Sequence, residues 1–192
     1  MMFYRFAKAL FTLYFKCLYS LDVTGVENLP PQGAFIICAN HTSWFDPPLI
    51  GCLIPRRNRV YFMAKEELFK VFVFGFLIKK LGAFPVKRNT ADRKAIKRGL
   101  QVLEEGGILG LFPEGTRSPN GQLGKLYNGA ALIALKSKKP VVPISIKWPK
   151  KFFRPVKVRI GSSISFTEEG KIRGEILEKI SSKISEELEK LL

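Results

Sequence analysis

The sequence predicts an α/β fold: one domain, residues 21–192, built on a mostly parallel, twisted sheet of about seven strands flanked by helices, with an amphipathic helix at residues 1–20 before it. Three observations point there. Short β-rich apolar runs alternate with segments of helical periodicity, the pattern of strand–helix–strand crossovers. The chain has 192 residues, 46% of them hydrophobic, which suits one packed domain and excludes a disordered tail. No repeat, low-complexity tract or linker-like stretch divides it.

The first twenty residues, MMFYRFAKALFTLYFKCLYS, read as a helix. At about 100° per residue Arg5, Lys8, Thr12 and Lys16 share a sector of about 80°, while Phe3, Phe6, Leu10, Leu13, Tyr14 and Leu18 cover much of the rest. A narrow basic stripe beside a broad apolar face suits a helix lying in a lipid headgroup layer, its lysines snorkelling outward; the alternative is a helix packed on its own domain. Lys8 and Lys16 interrupt the apolar stretch and no small-x-small cleavage site follows, so a retained membrane-contact helix is expected rather than a signal peptide. No uninterrupted run of about 18 apolar residues exists to span a bilayer.

The strands expected are 21–26, 34–39, 60–64, 83–86, 108–112, 141–146 and 156–160. Pro143 places the sixth at an edge or on a bulge. Helices are expected over 47–54, 66–81, 91–105, 129–137 and 168–192. Thr167 followed by acids makes an N-cap for the last, whose Ile172, Ile176, Ile180, Ile184, Leu188 and Leu191 recur at helical spacing. Residues 68–78 are apolar but too short to span, and their four phenylalanines suit either a core or lipid.

The charge is unusual. The formal net charge is +16, and the stretch from Glu168 onward holds seven acids and five bases, which leaves +18 on the first 167 residues. A body that basic and that rich in phenylalanine points to phosphate-bearing partners, nucleic acid or a lipid surface. Cys17, Cys38 and Cys52 form no C-x-x-C pair, which argues against a disulfide-built secreted domain and a zinc ribbon and favours a reducing, cytoplasmic setting.

Four stretches carry chemistry. The chain's single histidine stands in Asn40-His-Thr-Ser-Trp-Phe-Asp-Pro-Pro48, after an apolar strand whose C-terminal end is where α/β folds place sites. His41 and Asp46 diverge by about 140° on a regular helix, so Asn40 and the two prolines suggest a turn entering a helix at Asp46. There the carboxylate can reach back, fix the imidazole tautomer and leave the other nitrogen free to take a proton; the plainer reading is a local His–Asp bond with Asp46 as a cap. The second stretch is Leu111-Phe-Pro-Glu-Gly-Thr-Arg-Ser118, a turn in which Arg117 and backbone N–H groups could hold a phosphate, or in which Glu114 and Arg117 simply pair. It lacks the Gly-Lys-Ser/Thr of a Walker loop. The third, Gly82-Ala-Phe-Pro-Val-Lys-Arg88, ends in two bases, either solvated or with Arg88 as a second phosphate ligand. The fourth is the strand Val141-Val-Pro-Ile-Ser-Ile146. Cys38 reads as an inert buried thiol, no Gly-x-Ser-x-Gly elbow exists, and with one histidine and no carboxylate cluster at ligand spacing no metal is expected.

In this order the motifs Asn-His-x-Ser-x-x-Asp, Gly-x-Phe-x-Val-x-Arg, Phe-Pro-Glu-Gly-Thr-Arg-Ser and Val-x-Pro-Ile resemble the glycerolipid acyltransferases, specifically the 1-acyl-sn-glycerol-3-phosphate acyltransferases, over roughly residues 20 to 165. The resemblance implies transfer of a fatty acyl group from a thioester, on acyl carrier protein or coenzyme A, to the sn-2 hydroxyl of lysophosphatidate, giving phosphatidate. It carries the acid–base pair onto His41 and Asp46, the phosphate-binding arginine onto Arg88, and the acceptor-binding loop onto Glu114, Gly115, Thr116 and Arg117. Asn40, Ser43 and Lys125 are further candidates for substrate contact, Ser43 donating a hydrogen bond within the turn. The family's usual proline after Lys65-x-Glu67 is Phe72 here, and its lysine before the Gly-Ala of the next helix is Tyr127, with Lys125 two residues earlier as the available substitute. The reading is direct attack with His41 as general base, with no cofactor beyond the acyl thioester, at the cytoplasmic face of the cell membrane, where anionic lipid and acyl carrier protein are the partners. A non-catalytic lipid-binding protein, an acyltransferase for another lysolipid and a thioesterase are the alternatives. Nucleic-acid binding rests only on basic groups such as Arg56-Arg-Asn-Arg59, Arg93-Lys94 and Lys97-Arg98, without a recognisable module, and is not expected.

Overall fold

A computed structural model describes residues 2–54, 59–88, 90, 92–118, 121–167 and 172–192. Along the chain run α1 (Met2–Leu18), β1 (Leu21–Thr24), β2 (Ile36–Ala39), α2 (Asp46–Leu53), β3 (Val60–Lys65), α3 (Phe72–Leu81), β4 (Ala83–Val86), α4 (Arg93–Glu104), β5 (Ile108–Leu111), α5 (Gly129–Ser137), β6 (Val141–Lys147), β7 (Val156–Ile160) and α6 (Gly174–Glu189), with 3-10 turns at Val26–Asn28 and Glu66–Lys70. All seven strands join one sheet in the order β1-β7-β6-β2-β5-β3-β4. Every neighbouring pair is parallel except β6 with β7.

Strand β2 shows why this sequence makes a two-sided sheet. All four of its residues are buried, Ile36 and Cys38 among side chains of α4, α5 and α6, and Ile37 and Ala39, with Phe35 before them, among those of α1 and α2. A strand covered on both faces needs no polar alternation, and so reads as an unbroken apolar run. Because β2, β3, β4, β5 and β6 run in parallel, their C-terminal ends open on one edge of the sheet. Lys65 closes β3, and His41, Arg88, Glu114 and Trp148 follow the ends of β2, β4, β5 and β6.

Two expectations are corrected and a third, for Pro143, is decided between its alternatives. Residues 66–81 do not form one helix: a 3-10 turn gives way at Val71 (ψ 106°) to α3. Gly75 permits the break, since a Cβ there would lie 2.6 Å from the Phe69 carbonyl oxygen folded against it. The last helix starts at Gly174 with Arg173 extended ahead of it, so Thr167 is not its N-cap and Ile172 stands exposed outside it; the acids at 168 and 169 lie outside the described residues. Pro143 is not on an edge strand, because β6 pairs on both sides. It does face a bulge: between the pairs Ile144↔Ile160 and Val141↔Ile164, Val142 and Pro143 oppose the three residues Gly161 to Ser163. The Pro143 carbonyl accepts from the Gly161 N–H at 2.9 Å, so the missing proline N–H points to the place where the ladder is already irregular. Ala91, expected to open the fourth helix, lies outside the described residues; in α4 the Asp92 side chain caps the N–H groups of Lys94 and Ala95.

Helix α1 is apolar on two opposite sides. Tyr4, Ala7 and Phe15 are buried against the domain, whereas Phe6, Leu10 and Leu13 are 68%, 56% and 60% exposed. Lys8 is not on a free basic stripe: its ammonium donates to the Ile54 carbonyl at the end of α2. Phe72, Val73 and Phe76 of α3 are exposed too, with Lys80 lying over the rings of Phe3 and Phe76. Among the described residues no helix is long and apolar enough to cross a membrane.

Candidate active site

The turn after β2 closes around one carboxylate. Asp46, fully buried at the start of α2, accepts at Oδ2 from His41 Nδ1 (2.8 Å) and from the backbone N–H groups of Thr42 and Ser43 (both 2.7 Å), and at Oδ1 from the Trp148 indole N–H (2.6 Å). Three of the four donors thus crowd Oδ2, and one reaches Oδ1. With Nδ1 donating, Nε2 carries the imidazole lone pair, and it has no hydrogen-bond partner among the described residues. The ring lies on Phe112, centroids 4.0 Å apart and 20° from parallel, and Phe112 in turn stacks on Phe62. Gly110 makes that stack possible: it pairs with Phe62 across the strands, and a Cβ on it would sit 2.2 Å from the Phe62 ring.

The loop after β5 locks to this turn. Glu114, 5% exposed, accepts the His41 backbone N–H at Oε1 (2.9 Å) and the Gly124 N–H at Oε2 (3.0 Å), while the His41 carbonyl accepts from Ser118 N–H (2.7 Å). Each Glu114 oxygen thus accepts one backbone N–H, and among the described residues no ion pair joins Glu114 to Arg117. Gly115 turns left-handed (φ 68°), with the Tyr127 ring 2.9 Å from the place a Cβ would occupy, and the Tyr127 N–H bonds the Pro113 carbonyl. Thr116 and Arg117 are exposed, and the Arg117 guanidinium lies 4.0 Å over the Trp44 ring.

Arg88, after β4, reaches the same side. Its residue is exposed overall, yet partial desolvation of the guanidinium and then the charge of Arg117 hold its pKa below the ordinary arginine value, with Glu67 pulling the other way. Arginine side chains are suited to bidentate bonds with a phosphate.

The other candidates sort by geometry. Asn40, 2% exposed, is corrected to a structural role: its amide donates to the Ile146 carbonyl (3.0 Å) and accepts the Ile146 N–H (2.7 Å), tying β2 to the end of β6. Ser43 Oγ accepts from Phe45 N–H within the turn (3.1 Å), where the expectation was a donor. Lys125 is exposed beside Gly124, itself bonded to Glu114. Burial pushes the Cys38 thiol up to about 12, which leaves no thiolate for a covalent route. Among the described residues no group of three His, Cys, Asp or Glu could hold a metal ion. Trp148, Phe112 and Trp44 were not signalled by the sequence, because an aromatic beside a strand reads as core until its neighbours are known.

Comparison with known proteins gives the family. A family model described as Acyltransferase matches residues 20–147. The 1-acyl-sn-glycerol-3-phosphate acyltransferase of Bacillus subtilis is 33% identical over 161 residues, covering 82% of this chain and 79% of that one. The lyso-ornithine lipid O-acyltransferase of Pseudomonas aeruginosa is 32% identical over 125 residues, covering 64% and 46%. The crystal structure of the 1-acyl-sn-glycerophosphate (LPA) acyltransferase PlsC from Thermotoga maritima superposes with a TM-score of 0.69 at 29% identity, covering 99% of this chain and 78% of that one.

Proposed function

Because the chain belongs to the acyltransferase family, we propose that it transfers a fatty acyl group from an acyl thioester to the sn-2 hydroxyl of lysophosphatidate. The observation that carries the reading is the juxtaposition of a fixed His41–Asp46 pair, with Nε2 unengaged, and two arginines on the same sheet edge. His41 Nε2 takes the proton of the acceptor hydroxyl as that oxygen attacks the thioester carbonyl. The tetrahedral adduct collapses with cleavage of the C–S bond, and the imidazolium returns the proton to the leaving thiolate. Asp46 holds the tautomer and balances the imidazolium charge. Arg88 and Arg117 clamp the phosphate and so bring the hydroxyl to Nε2. Proton transfer of this kind contributes about 10²–10⁴-fold, so much of the acceleration rests on that positioning.

The setting follows from the exposed apolar surface. The outer face of α1, the Phe72–Phe76 segment of α3, and Phe152 and Phe153 in the β6–β7 loop would enter the headgroup layer of the cytoplasmic leaflet. The loop adjoins α1, since the Phe153 N–H bonds the Leu18 carbonyl and the Phe152 ring meets Tyr19. Basic residues around these segments attract anionic lipid, about 1 kcal/mol each near the surface. Acyl carrier protein, itself acidic, or coenzyme A is the donor, with no further cofactor. The test is purified protein with lysophosphatidate and either thioester, followed as phosphatidate. Activity should vanish in His41→Ala and Asp46→Ala with the fold retained, and the KM for lysophosphatidate should rise in Arg88→Ala and Arg117→Ala. Normal turnover by the His41 variant would sink the mechanism.

The similarity to a lyso-ornithine lipid acyltransferase favours one second reading, a different lysolipid acceptor. The paired arginines speak for a phosphate, and offering both acceptors decides it.

A further inference from the structure

Trp148 lies one residue beyond the stretch matched by the family model, and its indole N–H is the sole partner of Asp46 Oδ1 among the described residues. The other oxygen has three donors, His41 Nδ1 and the N–H groups of Thr42 and Ser43. The terminal torsion of an aspartate is broad and nearly two-fold, so one well-bonded oxygen alone does not fix the plane of the group. A short bond to the second oxygen does. The indole is in turn wedged by aromatic rings from two other parts of the chain: Phe15 of α1 at 6.0 Å, Tyr19 just after α1 at 5.4 Å and edge-on, and Phe45 ahead of α2 at 6.2 Å. Phe15 is wholly buried in this contact region.

We propose that Trp148 is a positioning residue for acyl transfer, acting through Asp46 and held in register by the aromatic side chains of α1. It touches no substrate. Its N–H sets the carboxylate plane, the carboxylate sets the imidazole, and Phe15 and Tyr19 set the indole. The helix offered to the lipid surface is therefore also part of the scaffold of the catalytic pair. The inference rests on the reading of His41 and Asp46 as that pair.

The chain's single histidine makes a direct test possible, because imidazole ¹⁵N resonances in labelled protein report one residue only. Recorded at a pH where the imidazole is neutral, wild type should show the proton on Nδ1. Trp148→Phe keeps an aromatic ring and removes the N–H. It should lower kcat by about 10- to 100-fold, the range for losing a hydrogen bond to a charged group, leave the KM for lysophosphatidate within about twofold, and give mixed tautomers. If the phenylalanine variant misfolds by circular dichroism, benzothienylalanine at 148, which replaces N–H by sulfur in the same outline, serves instead. A wild-type kcat overturns the proposal. So does a lowered kcat with an unchanged ¹⁵N spectrum, which would make the ring a packing element only. His41→Ala separates the two levels: an active His41 variant removes the catalytic pair itself, whereas an inactive one beside a normal Trp148 variant removes this inference alone.

Discussion

Replacing Glu114 by alanine separates two roles that the sequence leaves open. In the structure its two carboxylate oxygens accept the backbone N–H groups of His41 at 2.9 Å and Gly124 at 3.0 Å, and the residue is 5% exposed. Alanine leaves both donors without that acceptor, and an unsatisfied buried donor costs about 1–3 kcal/mol, so the loss is about 2–6 kcal/mol, the lower end applying if water enters the vacated space. For a chain of this size each kcal/mol moves Tm by roughly 2–4 °C, which gives a fall of roughly 4–24 °C by calorimetry or circular dichroism. Glutamine can keep one bond through its carbonyl and opposes the other N–H with its own amide, so Glu114→Gln should lose about half as much. Both variants free the His41 backbone, so the rate assay should show a lowered kcat with the KM for lysophosphatidate nearly unchanged. A Glu114→Ala protein with wild-type Tm and only a raised KM would refute the reasoning and return Glu114 to the substrate.

Gly110→Ala should destabilise by about 1–3 kcal/mol and lower kcat, because the new methyl displaces Phe62 from the stack that floors His41; thermal melts beside turnover check it, and an unaltered protein would show the stack to be unimportant. In alkylation followed by mass spectrometry at pH 8, exposed Cys17 should react while Cys38, buried and pushed up to about 12, stays unmodified until the chain unfolds. Asp22 is bonded by Arg159, which lowers its carboxyl pKa; that contribution is present above the ordinary carboxylate range and fades as pH falls through the lowered folded value. Arg159→Gln should therefore cost a little stability at neutral pH and nothing in strong acid, seen by denaturant titration at several pH values. Changing Phe6, Leu10 and Leu13 to serine should cut binding to anionic vesicles in sedimentation assays with the melting temperature held, because those side chains already face solvent.

Periodicity made the strands legible where burial is two-sided, as in Phe35 to Ala39, since only a doubly covered strand tolerates such a run. The helices failed where the deciding contact is remote. Nothing local in residues 66–81 announces that Phe69 will fold against Gly75, and nothing in Thr167 announces that the last helix waits until Gly174. The same division runs through the site. His41 and Asp46 were visible together because only five positions separate them, and a turn that joins them is signalled by Pro47 and Pro48. The partners of the second loop were not, because the bond of Glu114 to the His41 backbone spans 73 residues and Trp148 meets Asp46 across 102.

By itself, then, the sequence determined the seven-strand α/β architecture and the basic surface, which are written in apolar periodicity and charge, and it placed His41 and Asp46 close enough to meet in one turn. The tertiary structure alone decided which polar groups are free and which are used. Buried donors and acceptors must be paired, and the parallel strand ends bring those pairs from distant parts of the chain. That pairing bonded Asn40 to β6 and Glu114 to the backbone of His41 and Gly124, left Arg88 and Arg117 exposed, and brought an unforeseen tryptophan to the carboxylate bonded to the histidine.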